Sequence, residues 1–247
     1  MASSPIHRLS RSAENSAERP AEAVDTKSRI LDAAEELFME HGFEATSLRL
    51  ITTAAGVNLA AVNYHFGSKE ELFQAVLTRR LDPMNHDRMQ LLSAYEIAAA
   101  GKPLTCEKIL AAMFIPALKL ARDYEQGGKN FLRLLGRAYA DPAPFIREFL
   151  SNQYREMIAR FRSAFSRALP HIPREELSWR LHFVMGALSY TLAGADMLKI
   201  ISQPHPQEAT NDELLLKRLA PFLAAGLRSP SAPSSVEDDG NHLFQEA

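Results

Sequence analysis

Cysteine is almost absent from this chain of 247 residues, which contains only Cys106. A single cysteine cannot form an intramolecular disulfide, and it cannot build a cysteine-based metal cluster. This usage fits a reducing compartment, so we expect a cytoplasmic protein without a metal or other cofactor.

Long apolar runs and an excess of one charge are lacking as well. The longest charge-free apolar run, residues 181–195, is shorter than the roughly 20 residues that a membrane-spanning helix needs, so we expect no membrane role. The first 24 residues are polar, lack the apolar segment of a secretory signal, and predict a disordered arm. The net charge of −2 excludes a globally basic protein, so any contact with nucleic acid must use local positive charge.

Enzyme motifs are missing too. The chain has no glycine-rich phosphate loop, no nucleophile elbow and no His-Glu-x-x-His metal motif. A small helical enzyme would need a pair of coupled titrating residues that the sequence does not reveal, so we expect a protein that is not an enzyme.

Helical periodicity is what the sequence does contain. Apolar residues recur at helical spacing almost throughout, without useful β-alternation, and this predicts an all-α fold. We expect a small domain over residues 25–80, a larger helical bundle over 81–228, and a disordered Ser/Pro-rich tail over 229–247. The longer helices are predicted at about 25–41, 105–122, 129–139, 142–169, 173–202 and 211–228.

Local signals define the predicted helix ends and faces. In the first helix, Phe38 is expected in the core and Glu35 in water. Gly42 ends that helix in a left-handed conformation, and Phe43 then folds back onto Phe38. Pro83 is expected to bend or end the fourth helix.

Two short helices joined at Gly56 predict a helix-turn-helix, whose second helix enters the DNA major groove. The first opens at Thr46 or Ser47, and Asn58 caps the second. Val62 anchors the inner side of that second helix, which runs to about residue 66.

The outer face of the second helix predicts DNA contact. Asn63 offers a donor and an acceptor to an adenine edge, and Tyr64 can bond a phosphate or pack on a thymine methyl. No acid occurs in residues 45–69, whereas Arg49 and Lys69 do, as expected of a surface presented to a polyanion. The full set of DNA-contact candidates is Thr46, Ser47, Tyr64 and Lys69 for phosphate, Arg49, Ala60 and Asn63 for base edges, and Asn58 and His65 on the flank.

The run RILDAAEELFMEHGFEATSLRLITTAAGVNLAAVNYHFGSKEELFQAVL resembles the DNA-binding domain of the TetR family of bacterial transcriptional regulators. The likeness covers about residues 26–80. It departs from the family pattern in one place. The usual Tyr-x-Tyr-Phe at the end of the recognition helix is here Asn63-Tyr64-His65-Phe66, which leaves Tyr64 as the candidate for the phosphate contact.

This resemblance implies a homodimer that binds double-stranded DNA at an inverted repeat, with half-sites about one helical turn apart. The last two helices of such proteins usually form the dimer bundle. Here the implied interface residues are Leu181, Leu188, Leu192, Leu215, Leu219 and Phe222.

The resemblance also implies that the larger domain binds a small molecule. The segments NFLRLLGRAYADP and SWRLHFVMGALSYTLAG are similar to a branch of regulators of fatty-acid metabolism, which answer to long-chain fatty acids or their coenzyme-A thioesters. An apolar or acyl effector would then lie in the bundle, with an arginine or histidine at its polar end. The candidates are Met113, Phe114 and Met185 for the wall, and Arg133, Arg137 and His182 for the polar end.

Two alternatives remain open beside a ligand-released repressor. One is a transcriptional activator of the same build. The other is a helical lipid or acyl carrier whose first three helices are only scaffold, although the acid-free segment 45–69 argues against it.

Overall fold

The computed structural model describes residues 18–123, 127–140, 143–192 and 212–230, apart from the side chains of 18–24, 129, 137, 140, 189, 192 and 212–216. All regular structure in these ranges is helical, which confirms the all-α class. Ten helices lie within them: α1 Glu18–Ala45, α2 Leu48–Ala55, α3 Leu59–Phe66, α4 Lys69–Ala98, α5 Cys106–Ala121, α6 Gly128–Ala140, α7 Pro144–Gln153, α8 Arg155–Ala168, α9 Arg174–Leu192 and α10 Asp212–Arg228. In the described part of the chain, no helix is both long and apolar enough to cross a membrane.

The chain divides into two compact units, with the boundary in the sequence between Leu81 and Asp82. In the first unit, a ring cluster fixes the end of α1. Gly42 has the positive φ expected there, 82°, but its ψ of 175° lies outside the left-handed helical region and kinks the helix. Phe43 turns back until its ring centroid lies 6.0 Å from that of Phe38, as predicted. Phe73 meets Phe38 edge-on at 4.9 Å, so α1 and α4 share an aromatic core.

Two predictions about the first unit are wrong. Helix α1 begins at Glu18, so residues 18–24 of the expected arm are helical, while residues 1–17 lie outside the described ranges. Glu35 is buried rather than in water, because Arg80 on α4 meets one carboxylate oxygen through Nε at 2.6 Å, and Arg79 Nη1 lies 3.4 Å from the other. A carboxylate can be buried there because two guanidinium groups compensate for its lost hydration.

The second unit is a bundle in which α6 packs on α9, and α10 packs on α5. Its core is built from large apolar residues such as Ile109, Phe114 and Phe165. Arg180 ties the end of α10 to α9, because its Nη1 donates to the carbonyls of Leu227 and Ser229 at 2.8 and 2.7 Å.

Helix ends in this unit agree with the sequence in part. Helix α5 begins close to its predicted start, with Thr105 as its cap, and Pro116 lies inside it. Pro83 does not end α4, which continues to Ala98. The single helix predicted over 142–169 is two helices, because the backbone leaves helical geometry at Tyr154, with φ −111° and ψ 19°.

Candidate nucleic-acid interface and internal cavity

The caps of α2 and α3 are the two predicted from the sequence. Ser47 Oγ accepts a hydrogen bond from the N–H of Leu50 at 3.2 Å, and Asn58 Oδ1 accepts one from the N–H of Ala61 at 2.9 Å. Both residues are exposed at the starts of their helices. Because both caps are local, α2 and α3 begin where their own sequences place them.

The turn between α2 and α3 is held by a residue that sequence reasoning missed. Arg29 on α1 donates through Nη2 to the carbonyls of Ala55 and Gly56, at 2.5 and 3.1 Å. Gly56 is left-handed, with φ 63° and ψ 40°, and a Cβ there would lie 2.9 Å from that same nitrogen. No local pattern could reveal Arg29, because the contact joins residues 26 and 27 positions apart.

The outer face of α3 is open, as its pattern predicted. Ala60, Asn63 and Tyr64 are exposed, with Tyr64 at 83%. The inner anchors Val62 and Phe66 are buried, so the short helix cannot rotate without exposing its core residues. A polar, uncharged face on a well-anchored helix can approach the edges of base pairs.

His65 and Thr46 stand apart from that open face. His65 is half-buried, with its ring centroid 5.0 Å from that of Tyr64. The expectation for Thr46 is wrong: its side chain is fully buried, and its hydroxyl donates to the carbonyls of Leu37 and Gly42 at 3.1 and 2.7 Å. Thr46 therefore connects α1 to α2 and does not present its hydroxyl to a phosphate.

The two cations of the acid-free segment are placed differently. Arg49 on α2 is exposed. Lys69 is half-buried at the first residue of α4, and its Nζ lies 4.3 Å from the ring centroid of Phe43. This cation–π contact holds the ammonium group beside the free N–H groups of the helix start, where both favour an anion.

A cavity of about 350 Å³ lies inside the second unit. Its wall is mostly apolar and includes Met113 and Met185, two of the predicted lining residues. The remaining lining residues are Asn85, Arg88, Tyr139, Leu150, Tyr154, Met157, Ile158, Phe161, Arg162, Phe165, Ser178, Leu181, Val184 and Leu188.

Arg88 on α4 is the buried cation of this cavity, with 7% of its surface exposed. Its Nε donates to the carbonyl of Met113, and its Nη1 donates to Asn85 Oδ1, each at 2.9 Å. Burial lowers the pKa of Arg88, while the phenol of Tyr139, which accepts a hydrogen bond from it, raises it. Burial raises the pKa of Tyr139 in turn, so its hydroxyl stays protonated at neutral pH.

The other predicted effector contacts lie elsewhere. Arg133 and His182 are exposed and do not line the cavity, so the structure does not bring them to its polar group. Phe114 is buried in the core without reaching the cavity, and the side chain of Arg137 lies outside the described residues. Across the described residues, no group of His, Cys, Asp and Glu could hold a metal ion.

Three of the predicted interface leucines pack within the bundle. Leu188 is buried and lines the cavity, Leu181 is half-buried and also lines it, and Leu219 is half-buried against the core. Phe222 is 72% exposed, whereas the side chains of Leu192 and Leu215 lie outside the described residues.

Three exposed aromatic residues of α9 are not among those predicted from the sequence. Trp179, Phe183 and Tyr190 are 57%, 64% and 54% exposed. Their helical spacing was visible in the sequence, but the leucines on the other side of α9 were assigned to the interface instead.

Comparisons with known proteins cover both units. The family model "Bacterial regulatory proteins, tetR family" matches residues 30–76, and "Tetracyclin repressor-like, C-terminal domain" matches residues 111–226. The transcriptional regulator SrpR of Pseudomonas putida is 45% identical over 67 residues, 27% of this chain and 32% of SrpR. The regulator TtgR, also of Pseudomonas putida, is 36% identical over 94 residues, 38% of this chain and 43% of TtgR.

A solved structure shares the fold across most of the chain. The structure of SmeT in complex with triclosan superposes with a TM-score of 0.53 at 21% identity, covering 84% of this chain and 96% of that one. The aligned segments of SrpR and TtgR span less than half of those relatives' lengths. The helix-turn-helix unit and the helical bundle each match a model of one family, and the chain belongs to the TetR family of regulators.

Proposed function

We propose that this protein is a cytoplasmic transcriptional repressor that binds an inverted-repeat operator as a homodimer and leaves it when a small apolar or acyl effector binds. The DNA-binding domain would be residues 25–80, extended at its start by the helical residues 18–24. The effector and dimerisation domain would be residues 81–228.

The open face of α3 is the observation that carries the proposal. Asn63 and Tyr64 project from a helix whose opposite side is buried, in a segment without acidic residues. Asn63 suits an adenine edge, while Tyr64 and Lys69 suit phosphates. Ser47, Arg49, Asn58, Ala60 and His65 complete the proposed DNA surface.

A homodimer is supported by the exposed aromatic face of the last helices. Trp179, Phe183 and Tyr190 on α9, and Phe222 on α10, are large apolar side chains left in contact with water. Exposed apolar patches of this kind mark protein–protein contacts. We assign the dimer interface to these four residues rather than to the buried leucines.

The cavity of the bundle supports an effector role. Its volume lies at the lower end of the range typical of small-molecule sites, about 300–1,000 Å³, and its wall is mostly apolar. An effector can release DNA only by binding more tightly to the conformation with low DNA affinity. The cavity is therefore the place where such a difference in affinity would arise.

Fluorescence anisotropy of DNA from upstream of the protein's own gene tests whether the protein binds DNA. We expect binding that weakens as salt rises, because cations at phosphates release counterions. Tyr64→Ala should weaken it about tenfold, whereas Ile97→Ala, equally exposed at 80% but on the far part of α4, should leave it unchanged.

Equal affinity of Tyr64→Ala and the wild type would refute the assigned DNA surface. Absence of salt-dependent binding to any DNA would favour the helical carrier. Transcription assays with the same DNA would separate a repressor from an activator, since the bound protein lowers transcript yield only in the first case.

A further inference from the structure

We propose that the cavity of the bundle binds a free amphipathic carboxylate, with its anionic head on Arg88 and Tyr139 and its apolar part along the methionine and phenylalanine wall. Binding itself is a property of the second unit. Only the consequence for DNA rests on the function proposed above.

The buried charge of Arg88 favours an anionic ligand. Its guanidinium group is buried, yet its partners among the described residues are a carbonyl, an amide oxygen and a phenol, all uncharged. Burying a cation without an acid beside it is unfavourable, and an anion in the cavity would compensate for that cost. Two acids of the same helix have other described partners: Asp82 accepts a hydrogen bond from Tyr154 at 2.9 Å, and Asp87 pairs with Lys119 at 3.2 Å.

The hydrogen-bond donors around Arg88 are arranged to suit a carboxylate. The Nε and Nη1 groups of Arg88 are held by Met113 and Asn85, which orient the guanidinium plane. An arginine fork binds both oxygens of a carboxylate, and the protonated phenol of Tyr139 can donate a further hydrogen bond. The buried cation, the phenol and the amide of Asn85 all line the same cavity.

The apolar wall of the cavity favours a ligand with an apolar body. Met157, Phe161 and Met185 line the cavity beside the polar group, so a ligand with one charged end and one apolar body matches it. Methionine adapts its shape to different apolar ligands, which suits an alkyl or aromatic body. A coenzyme-A thioester presents an uncharged carbonyl where the free acid presents its charge, so it leaves Arg88 without an anion.

Titration calorimetry of the full chain with decanoate, 1-decanol and decylamine tests the proposal, because the three probes share one alkyl chain. We expect decanoate to bind at least about tenfold more tightly than decanol, as charged hydrogen bonds at a buried site allow, and decylamine to bind most weakly. Arg88→Met should abolish the preference for decanoate while retaining decanol binding. Tyr139→Phe should weaken decanoate binding about fivefold. Because it removes only the hydroxyl and keeps the ring, it tests the same site if Arg88→Met fails to fold.

Arg147→Met is the control, because Arg147 is an exposed arginine of α7 that does not line the cavity. It should change decanoate affinity less than threefold. Equal binding of decanoate and decanol, equal loss of both in Arg88→Met, or no binding of decanoate would each overturn the proposal. DNA anisotropy in the same samples separates the two proposals, since tight decanoate binding without DNA release supports the carboxylate site and refutes its role as the effector site.

Discussion

Glu35 in the first unit and Arg88 in the second are both buried charges, and their surroundings are opposite. Glu35 in the first unit is 3% exposed and meets Arg79 and Arg80. Arg88 in the second unit is buried almost as deeply, but its described partners are uncharged. A buried charge with matched partners supports the fold, whereas one without an opposite charge indicates a site for a ligand.

Removing the carboxylate of Glu35 should have the largest effect on the free energy of unfolding. Glu35→Ala leaves the partly buried guanidinium of Arg80 without this carboxylate, so we expect a loss of about 3 kcal/mol in the free energy of unfolding. Urea denaturation measures it. Glu36→Ala, at an exposed position of the same helix, should stay within about 0.5 kcal/mol of the wild type. Similar losses in both variants would show that the ion pair of Glu35 does not contribute specifically to the free energy of unfolding.

The DNA surface should respond next, by about 1–3 kcal/mol in discrimination between bases. Asn63→Ala should relax sequence preference because a base-edge contact is lost, with the exposed Asn152→Ala as its control. Lys69→Ala should weaken all DNA sites alike and reduce the salt slope by about one, with Lys102→Ala as its control. Unchanged preference in the first variant, or an unchanged slope in the second, would contradict this division of roles.

Removing the charge of Arg88, whose described partners are uncharged, should have a smaller effect of opposite sign on the free energy of unfolding. Arg88→Met removes a buried cation and replaces it with an apolar chain of similar length, so stability should be unchanged or rise by about 1 kcal/mol. Arg80→Met should instead destabilise the protein, because it leaves Glu35 short of a partner. Thermal denaturation without ligand distinguishes the two. A marked loss in Arg88→Met would mean that Arg88 is a structural residue.

The smallest effect should come from a partly exposed ion pair. The pKa of Glu96 is lowered, first because it accepts a hydrogen bond from Arg160 and also through Arg167. Its stabilisation is therefore present above the unfolded carboxyl pKa and is lost as pH falls through the lower folded pKa.

Glu96→Gln should accordingly cost up to about 1 kcal/mol at neutral pH and nothing in strong acid. Urea denaturation at a series of pH values measures this difference, with the exposed Glu148→Gln as control. A cost that persists at acid pH would refute the ion-pair explanation.

Features set by neighbouring residues could be predicted from the sequence. The caps at Ser47 and Asn58 and the return of Phe43 onto Phe38 depend on a few adjacent positions. The break at Tyr154 could not be predicted, because neither proline nor glycine marks it.

Features set by distant partners could not be predicted either. Glu35 is buried because of arginines some 45 positions away, and Arg88 meets the carbonyl of Met113 across 25 positions. Residue type alone suggested Arg133 and His182 for the cavity, but only packing decides which of several cations turns inward.

The contact between Arg29 and the turn limits how this chain can vary in evolution. Position 56 is restricted mainly by its left-handed backbone, and a Cβ there would also displace Arg29 Nη2, 2.9 Å away, from the carbonyls it holds. Ala54, two residues earlier and exposed, carries neither restriction. Tolerance of substitution should therefore fall sharply between position 54, where many residues are accepted, and position 56, where few are. Substitutions of Arg29 should be as poorly tolerated as those of Gly56.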